Sequence, residues 1–174
     1  MKQLDTELSK QFTLSDYVEQ RPELAFVTVE KQQLVPLLTY LRDTKKYTHL
    51  VTLTAVDWLE VNQFQLTYLL HNYETHTDIG IRVKLDRDNP VMETIHHLWE
   101  QARVYQRELH EMFGIDFPGS PGVEEPMILE GWQGPPVMRR DFDTAKYSLE
   151  TYDHRKRDTR EPEIYMKEKL YPED

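Results

Sequence analysis

Residues 79–85 read IGIRVKL, and this stretch decides the fold class. Every second side chain is a branched aliphatic group: Ile79, Ile81, Val83 and Leu85. The positions between them hold glycine, arginine and lysine, so an extended chain would have one apolar and one polar face. The alternation predicts a β-strand in a sheet that is covered on one side.

Further strands precede this one. Residues 49–56 are rich in valine, threonine and leucine, and residues 64–70 alternate apolar and polar side chains. Short links with asparagine and aspartate join the three runs, which predicts an antiparallel meander. Residues 24–29, LAFVTV, predict another strand. Leucines at helical spacing in 34–41 predict a helix that has Pro36 in its first turn.

A second long helix is predicted to begin at Asn89-Pro90, a cap residue followed by proline at the first helical position. Apolar residues then follow at steps of four and three: Val91, Ile95, Leu98, Ala102, Tyr105, Leu109 and Met112. The stripe predicts about six turns, as one helix or two abutting helices. Gly114 would end it as a left-handed cap. We therefore expect an α+β fold, with an antiparallel-dominated sheet packed against two main helices.

The composition changes after Gly114. Residues 114–136 hold five of the six glycines and five of the ten prolines, so regular structure is excluded. Large apolar groups are interspersed: Ile115, Phe117, Met127, Ile128, Leu129 and Trp132. We predict an α+β body over residues 1–117, an ordered Gly/Pro-rich docking loop over 118–142 and a charged, extended tail over 143–174. The tail would gain order along a partner, because its scattered apolar residues cannot form a core alone: Tyr152, Ile164, Tyr165 and Leu170.

Composition excludes several classes of function. The formal net charge is −10, which disfavours nucleic acid and anionic membrane surfaces as partners. There is no cysteine, so disulfides, thiol nucleophiles and thiolate-held clusters in this chain are excluded. No apolar run reaches the roughly 18–20 residues of a membrane helix, and the first residues lack a signal-peptide pattern. We expect a soluble, cytoplasmic chain.

Two motifs resemble metal sites. Glu93 and His96 form half of a di-iron E-x-x-H signature, but no second such pair follows. Glu93, His97 and Glu100 would share one face of the predicted helix, and a solvated helix face is the interpretation we favour. His110-Glu111 begins like a zincin H-E-x-x-H motif, but Gly114 occupies the position of the second histidine.

The remaining candidates for catalysis are acids. Arg107 and Glu111 have the spacing of an ordinary helical ion pair, and nothing is placed opposite Glu108 or Glu111 for acid–base chemistry. Asp57, at the end of a predicted strand, has the position of a turn residue. We therefore assign no catalytic, cofactor-binding or metal-binding residue. The alternative is a free-standing metal-dependent enzyme that uses Glu108, His110 and Glu111. Large apolar groups on a stiff loop favour a protein that docks on another protein.

Three blocks of sequence carry a resemblance to a known family. They are TLTAVD at 52–57, DNP at 88–90 and WEQARVYQRELHEMFGIDF at 99–117. The last block resembles the W-x-x-A-x-W-Y-E-R-E-x-x-D-M-F-G-I-x-F signature of the 30 kDa subunit family of complex I, the C-type subunits of NADH-quinone oxidoreductase. Related subunits of membrane-bound group 4 hydrogenases belong to the same family. The resemblance covers roughly residues 24–142.

This resemblance implies a non-catalytic subunit in the peripheral arm of a respiratory, proton- or sodium-translocating oxidoreductase. Such a subunit docks on the large (49 kDa-like) catalytic subunit, beside the small iron–sulfur subunit. It is peripheral, on the cytoplasmic side of the cell membrane, and meets the membrane only through the complex. Iron–sulfur clusters and flavin or nickel–iron are expected in partner subunits, and none in this chain. The alternatives are a hydrogenase or another ferredoxin- or deazaflavin-linked complex, and an assembly factor.

The resemblance also selects partner-binding residues. They are Arg107, Glu108, Glu111, Phe113, Gly114, Ile115, Phe117, Trp132, Arg139, Arg140 and Asp141. The three charged helix residues would lie near the docking surface, and Gly114 would turn the chain out of the helix. The apolar side chains would anchor the loop in pockets of the body or of the large subunit. The last three residues would fix the start of the tail.

The sequence departs from the family pattern at several positions. Gln106 replaces a glutamate, Ser120 replaces a histidine, and Glu124-Glu125 stand where the pattern has two arginines. Exchanging two cations for two anions changes the loop by four charge units, and a unit pair at ~4 Å contributes about 1 kcal/mol even in water. We therefore expect either a changed partner surface or an exposed loop, in a divergent branch of the family.

Overall fold

The computed structural model describes residues 2–152 together with Met166, Lys169 and Leu170. The chain divides after Phe142 into two compact units, and the first contains the sheet. Its five strands are β1 (Leu14–Arg21), β2 (Leu24–Val29), β3 (His49–Trp58), β4 (Gln63–Asn72) and β5 (Thr77–Asp86). They lie in the order β1-β2-β5-β4-β3, so β1 and β3 form the two edges.

The predicted meander is confirmed, because β3 pairs antiparallel with β4 and β4 with β5. β1 also pairs antiparallel with β2. Only the pairing of β2 with β5 is parallel among these strands. The sheet is thus dominated by antiparallel pairs, as the alternating runs predict.

The helices are α1 (Lys2–Gln11), α2 (Leu34–Asp43), α3 (Ala102–Phe113) and α4 (Thr144–Thr151). Two single 3₁₀ turns occupy Lys31–Gln33 and Leu59–Val61. The two predicted main helices correspond to α2 and α3. Pro36 is the third residue of α2, where its missing N–H leaves no intrahelical bond unmade.

The core lies between the apolar face of the sheet and the helices. Alternation along β4 buries four side chains completely: Phe64, Leu66, Tyr68 and Leu70. The four leucines of α2 are likewise buried: Leu34, Leu37, Leu38 and Leu41. Removing such groups from water contributes about 1.5–3 kcal/mol per side chain and drives the sheet and helix together.

Helix α3 lies beside the edge strand β3, and side chains around its start bind the backbone of that strand and of the residue before it. The indole N–H of Trp99 donates to Thr48 O over 2.7 Å, and the Tyr105 hydroxyl donates to Val51 O over 3.0 Å. Gln101 donates to Leu50 O. These bonds satisfy edge carbonyls that would otherwise be open to a neighbouring chain.

The predicted start of the second long helix is wrong. The helix begins at Ala102, not at Pro90. The amide of Met92 donates to Asp116 O (2.9 Å) and the amide of Asp116 donates to Pro90 O (2.8 Å), so this segment is a short parallel bridge. A distant partner in the chain takes the backbone groups that a helix would have used, and a local apolar period cannot reveal it.

Residues 93–101 form irregular structure and turns instead of helix, although Ile95 and Trp99 are still buried. Glu93, His97 and Glu100 therefore do not share a helix face, and that expectation is also wrong. Thr94 uses its hydroxyl to bond His96 Nδ1 over 3.0 Å, a local bond that competes with helix formation.

The second compact unit begins at Asp143. Asp143 caps α4, since its Oδ1 accepts a 2.9 Å bond from the amide of Lys146. The predicted extended tail thus starts with helix. Tyr152 and Leu170 are exposed, whereas the expectations for Ile164 and Tyr165 lie outside the described residues. Across the described ranges, no helix is long and apolar enough to cross a bilayer.

Candidate functional site

The last two turns of α3 hold the loop that follows the helix. Arg107 donates through Nε to Glu125 O over 2.6 Å and through Nη2 to Pro126 O. One turn later, Glu111 Oε1 accepts from the amides of Met127 (2.8 Å) and Leu129 (3.0 Å). A cation therefore holds two carbonyls, and an anion holds the amides that come next in the chain.

The carboxylate of Glu111 is surrounded by donors, because the amide of Ile128 also reaches it, at 3.0 Å from Oε2. Burial alone would raise the pKa of Glu111, but the amides of Leu129, Met127 and Ile128, aided by Arg107, outweigh it and lower that pKa. Glu111 is thus an ionised structural acceptor. The sequence predicts an ordinary ion pair with Arg107, whereas each of the two side chains binds loop backbone.

This arrangement leaves the side chains of Met127 and Ile128 facing outward. Ile128 is 68% exposed and Met127 is 40% exposed, although both are large and apolar. Their backbone is fixed by Arg107 and Glu111, so the exposure results from a defined conformation. Glu124 and Glu125 flank them and are exposed too. The loop therefore presents apolar groups and carboxylates on a firmly attached backbone.

Beneath the loop, two departures from the family pattern meet in the interior. Gln106 is fully buried, and its Oε1 accepts 2.8 Å bonds from Ser120 Oγ and from Thr94 Oγ1. The Nε2 atom of Gln106 is buried with no partner among the described residues. A neutral amide thus joins α3, the turns before it and the first part of the loop. A buried glutamate at position 106 would place a charge here.

Gly114 ends α3 with φ +71°, a left-handed conformation that favours glycine. An added Cβ would also lie 3.0 Å from Arg139 Nη2 and 3.0 Å from Pro136 Cγ. The chain returns across this helix end, where the amide of Met138 donates to Met112 O (3.0 Å) and Arg139 Nε donates to Phe113 O (2.7 Å). The returning segment satisfies carbonyls that a helix C-terminus leaves open.

The end of the loop is clamped to the sheet by a buried ion cluster. Arg87 Nε donates to Asp57 Oδ1 over 2.9 Å, and Arg87 Nη2 donates to Asp141 Oδ1 over 2.5 Å. The Asp57 side chain is almost fully buried, whereas that of Asp141 is half exposed. Asp57 Oδ2 also accepts from the amide of Arg140, and the Arg140 side chain pairs with Glu60.

The opposite charges in this cluster shift the pKa values of two of its members, Arg87 and Asp141. Hydrogen bonds from the guanidinium to the Asp141 and Asp57 carboxylates raise the pKa of Arg87, which stays protonated. In return, the Arg87 guanidinium lowers the pKa of Asp141 below its usual range. The cluster therefore holds the returning chain by charge-assisted bonds at neutral pH.

The apolar residues of the predicted site are divided between the body and the loop. Ile115 and Phe117 are completely buried in the core of the body, so no partner can reach them. Phe113 packs edge-on against Phe64, with ring centroids 6.0 Å apart. Trp132 packs within the loop, edge-on to Phe142 at 5.9 Å, and its indole N–H donates to Pro135 O. Of the two predicted kinds of pocket, in the body or in the large subunit, Ile115 and Phe117 thus occupy the first.

The alternative catalytic set is not preorganised for chemistry. His110 and Glu111 line a cleft of about 230 Å³, but Glu111 is occupied by the loop amides and His110 Nδ1 lies 3.2 Å from Ile115 O. Glu108 is exposed on the helix. In the part of the chain that the structure describes, no three His, Asp or Glu side chains are grouped as a metal site.

The buried cluster is not predicted from the sequence. Asp57 has the sequence position of a turn residue at a strand end, and no local pattern singles out Arg87. A usable signal exists, because an acid at an otherwise buried position of a strand requires a partner. The contact between Gln106 and Ser120 is also missed, although both positions stand out from the pattern.

Comparison with known proteins identifies relatives. The chain matches the family described as "Respiratory-chain NADH dehydrogenase, 30 Kd subunit" over residues 27–148. It is 30% identical over 125 residues to the C subunit of NADH-quinone oxidoreductase from Moorella thermoacetica, covering 72% of this chain and 84% of that protein. It is 33% identical over 148 residues to the C/D subunit of NADH-quinone oxidoreductase from Pseudomonas fluorescens, covering 78% of this chain and 25% of that protein.

A solved structure shares the fold. It comes from the membrane-bound sulfane sulfur reductase, an archaeal respiratory membrane complex. The chain in it is 26% identical and superposes with a TM-score of 0.76, covering 92% of this chain and 96% of that one. The similarity therefore extends over most of the chain.

Proposed function

We propose a function from one premise: this chain belongs to the respiratory-chain NADH dehydrogenase 30 Kd subunit family. It is a complex I 30 kDa-type subunit of a membrane respiratory complex. Within that complex, we propose that it is a non-catalytic subunit of the peripheral arm. It docks on the large catalytic subunit and stabilises the electron-transfer arm.

The fused relative of Pseudomonas fluorescens supports the choice of partner. It is named as a combined C/D subunit, and the region similar to this chain makes up 25% of it. One polypeptide holds both parts at high effective concentration, which is useful where the two parts bind each other. By analogy, the partner of this chain is a D-type subunit, the large catalytic one, with the small iron–sulfur subunit nearby.

The geometry of the loop supports a binding role. Arg107 and Glu111 of the same chain bind five backbone groups of residues 125–129. The exposed side chains of this segment are thus free to contact another protein without reorganising the loop. Preorganisation of this kind lowers the entropic cost of association. Glu108, Trp132, Arg139 and Arg140 would border the same contact.

Electron transfer is assigned to the partners. The chain has no cysteine, so it has no thiolate to hold an iron–sulfur cluster. Clusters, and flavin or nickel–iron, would belong to neighbouring subunits. The complex would carry this chain on the cytoplasmic side of the cell membrane, held there by its partners.

A second candidate is a complex that does not use NADH. The archaeal sulfane sulfur reductase complex contains a chain that superposes over 92% of this one. A similar fold therefore serves a complex with a different name and reaction. Subunits of hydrogenases or of ferredoxin- or deazaflavin-linked complexes fall in the same class of alternative.

Affinity purification from the native membrane tests the assignment. The tagged full-length chain, extracted in mild detergent at low salt, should co-purify in equal amounts with a large subunit and an iron–sulfur subunit identified by mass spectrometry. Recovery of the chain alone, or at trace levels relative to the complex, would contradict a resident subunit and favour an assembly factor. Stoichiometric metal in the isolated chain would favour the alternative of a free-standing metal-dependent enzyme. Activity of the complex with NADH, reduced ferredoxin or sulfur compounds separates the two candidate functions.

A further inference from the structure

We propose that residues 124–130, which we call the acidic ridge, bind a basic-edged apolar depression on the partner protein. The inference rests on the proposed function, in which that partner is the large catalytic subunit. The ridge consists of Glu124, Glu125, Met127, Ile128 and Glu130, with Pro126 and Leu129 between them. Ile128 enters the depression, and the carboxylates pair with lysine or arginine at its edge.

The ridge has a defined shape before any partner arrives. Successive peptide groups are held by only two side chains, Arg107 on the carbonyl side and Glu111 on the amide side. Both belong to the rigid helix α3, which is tied to the edge of the sheet. The tip is therefore presented as a rigid element, the type of surface that binds with little loss of conformational entropy.

Two adjacent apolar side chains form the tip of the ridge. Ile128 is the more exposed of the two, and Met127 lies beside it. Nearby on α3, Val104 is also exposed and lines a shallow cleft with Arg107 and Glu125. A single exposed aliphatic group needs no explanation, but a cluster on a firmly held backbone is typical of a binding surface.

The charged side chains of the ridge itself are all negative. Residues 112–138 contain four carboxylates, at Asp116, Glu124, Glu125 and Glu130, and no lysine, arginine or histidine. The last three are exposed, and no ion pair within the described ranges engages them. Two cations line the adjacent cleft, and both are already engaged: Arg107 binds loop carbonyls, and Arg103 pairs with Glu100. The cations that complement this ridge must therefore come from the partner.

The departure from the family pattern at positions 124 and 125 also makes this surface more negative. The pattern has two arginines where this chain has Glu124 and Glu125, so a surface shaped for the pattern would repel the ridge. The proposal therefore requires a cationic facing surface on the partner. Complementary potentials of this kind determine which partners are accepted and which are rejected.

Washing the purified complex with salt tests the inference. The full-length chain, tagged and produced in the native host, is bound to resin with its complex, and the retained large subunit is measured against NaCl concentration. The variants are Glu124→Lys/Glu125→Lys, Glu124→Gln/Glu125→Gln and Ile128→Asp. Matched controls lie on or next to β1, at the opposite edge of the sheet from α3: Glu19→Lys/Glu23→Lys and Val18→Asp, all at exposed positions. Thermal unfolding of each free chain verifies folding.

Charge reversal should lower the retained fraction about tenfold at low salt, and neutralisation should lower the half-release NaCl concentration about twofold. Ile128→Asp should lower retention about tenfold at every salt concentration. The controls should behave as the unmodified chain. If all variants retain the large subunit equally, the ridge is not the docking face, although the proposed function stands. Equal loss in the controls would also overturn the inference. If the unmodified chain retains no large subunit, the proposed function itself fails.

Discussion

Gln106 and Ser120 are hydrogen-bonded to each other in the interior, with 2.8 Å between Oε1 and Oγ. They are also two positions at which this sequence departs from its family pattern, which has glutamate and histidine there. In this chain the two positions are therefore coupled by a direct bond. A neutral amide–hydroxyl pair occupies a site that the pattern would fill with two ionisable groups, and no charge is buried at this point.

Placing a carboxylate at position 106 should show whether positions 106 and 120 are energetically coupled. Gln106→Glu should lower the free energy of unfolding by about 3 kcal/mol at pH 7, because it buries a charge without a cation. Burial would raise the pKa of the new carboxyl, so the penalty should vanish below about pH 4, where it is protonated in both states. Adding Ser120→His should restore much of the loss at pH 7. Urea unfolding of the single and double variants measures the coupling. Additive effects would contradict it.

Glu111 should be required for attachment of the loop. Glu111→Ala removes an acceptor shared by three amides and should lower the free energy of unfolding by about 1–2 kcal/mol. Hydrogen exchange should rise at the amides of Met127, Ile128 and Leu129, and remain unchanged in β4. Glu108→Ala, an exposed acid on the same helix, is the control. Unaltered exchange at all three amides would argue against the anchoring.

The same attachment should depend on pH. The pKa of Glu111 is lowered in the folded chain, so its contribution is fully present above the unfolded value of about 4.3. It is lost as the pH falls through the lowered folded value, since protonation removes an acceptor. Protection of the 127–129 amides, corrected for the intrinsic exchange rate, should therefore decline in acid, and the decline should be absent in Glu111→Gln. Parallel behaviour of the two proteins would exclude this carboxylate as the cause.

Gly114 should be less replaceable than other glycines with similar backbone angles. Gly114→Ala should lower the free energy of unfolding by about 2 kcal/mol, because the left-handed conformation costs about 1–2 kcal/mol and the new Cβ crowds Arg139 and Pro136. Gly119 has φ +81° with open space around it, so Gly119→Ala isolates the conformational cost. The difference between the two melting curves reports the crowding. Equal destabilisation by Gly114→Ala and Gly119→Ala would mean that the segment with Pro136 and Arg139 moves aside at no cost.

The cluster around Arg87 should contribute more than the surface pair next to it. Arg87→Met leaves the Asp57 carboxylate buried beside an apolar side chain, and should cost about 3–5 kcal/mol. Arg140→Met removes an exposed pair with Glu60 but keeps the backbone bond to Asp57, and should cost at most about 1 kcal/mol. Denaturant unfolding compares them. Similar losses of unfolding free energy in the two variants would show that burial does not determine the contribution of the cluster to stability.

Local patterns predict much of the fold. The strands β3, β4 and β5 are recognisable because a side-chain period of two is a property of the extended chain itself. The leucines of α2 and the cap at Gly114 are local signals of the same kind. Strand β1 is not predicted, because this edge strand is mostly exposed and lacks a clear alternation. The false helix before Ala102 arises because a bridge to Asp116 competes with helix, and that contact is not local.

For the candidate site, the sequence by itself determined the residue types: a basic and an acidic group one turn apart on a helix, a glycine cap, and an acidic, proline-rich loop. It also determined that no thiolate chemistry takes place in this chain. Only the tertiary structure decided which atoms these groups bind. Arg107 and Glu111 bind backbone 16–19 residues away, Gln106 meets Ser120, and Arg87 joins Asp57 to Asp141, which lies 54 residues further along the chain. Such partners are selected by packing between distant segments, which no short-range period encodes.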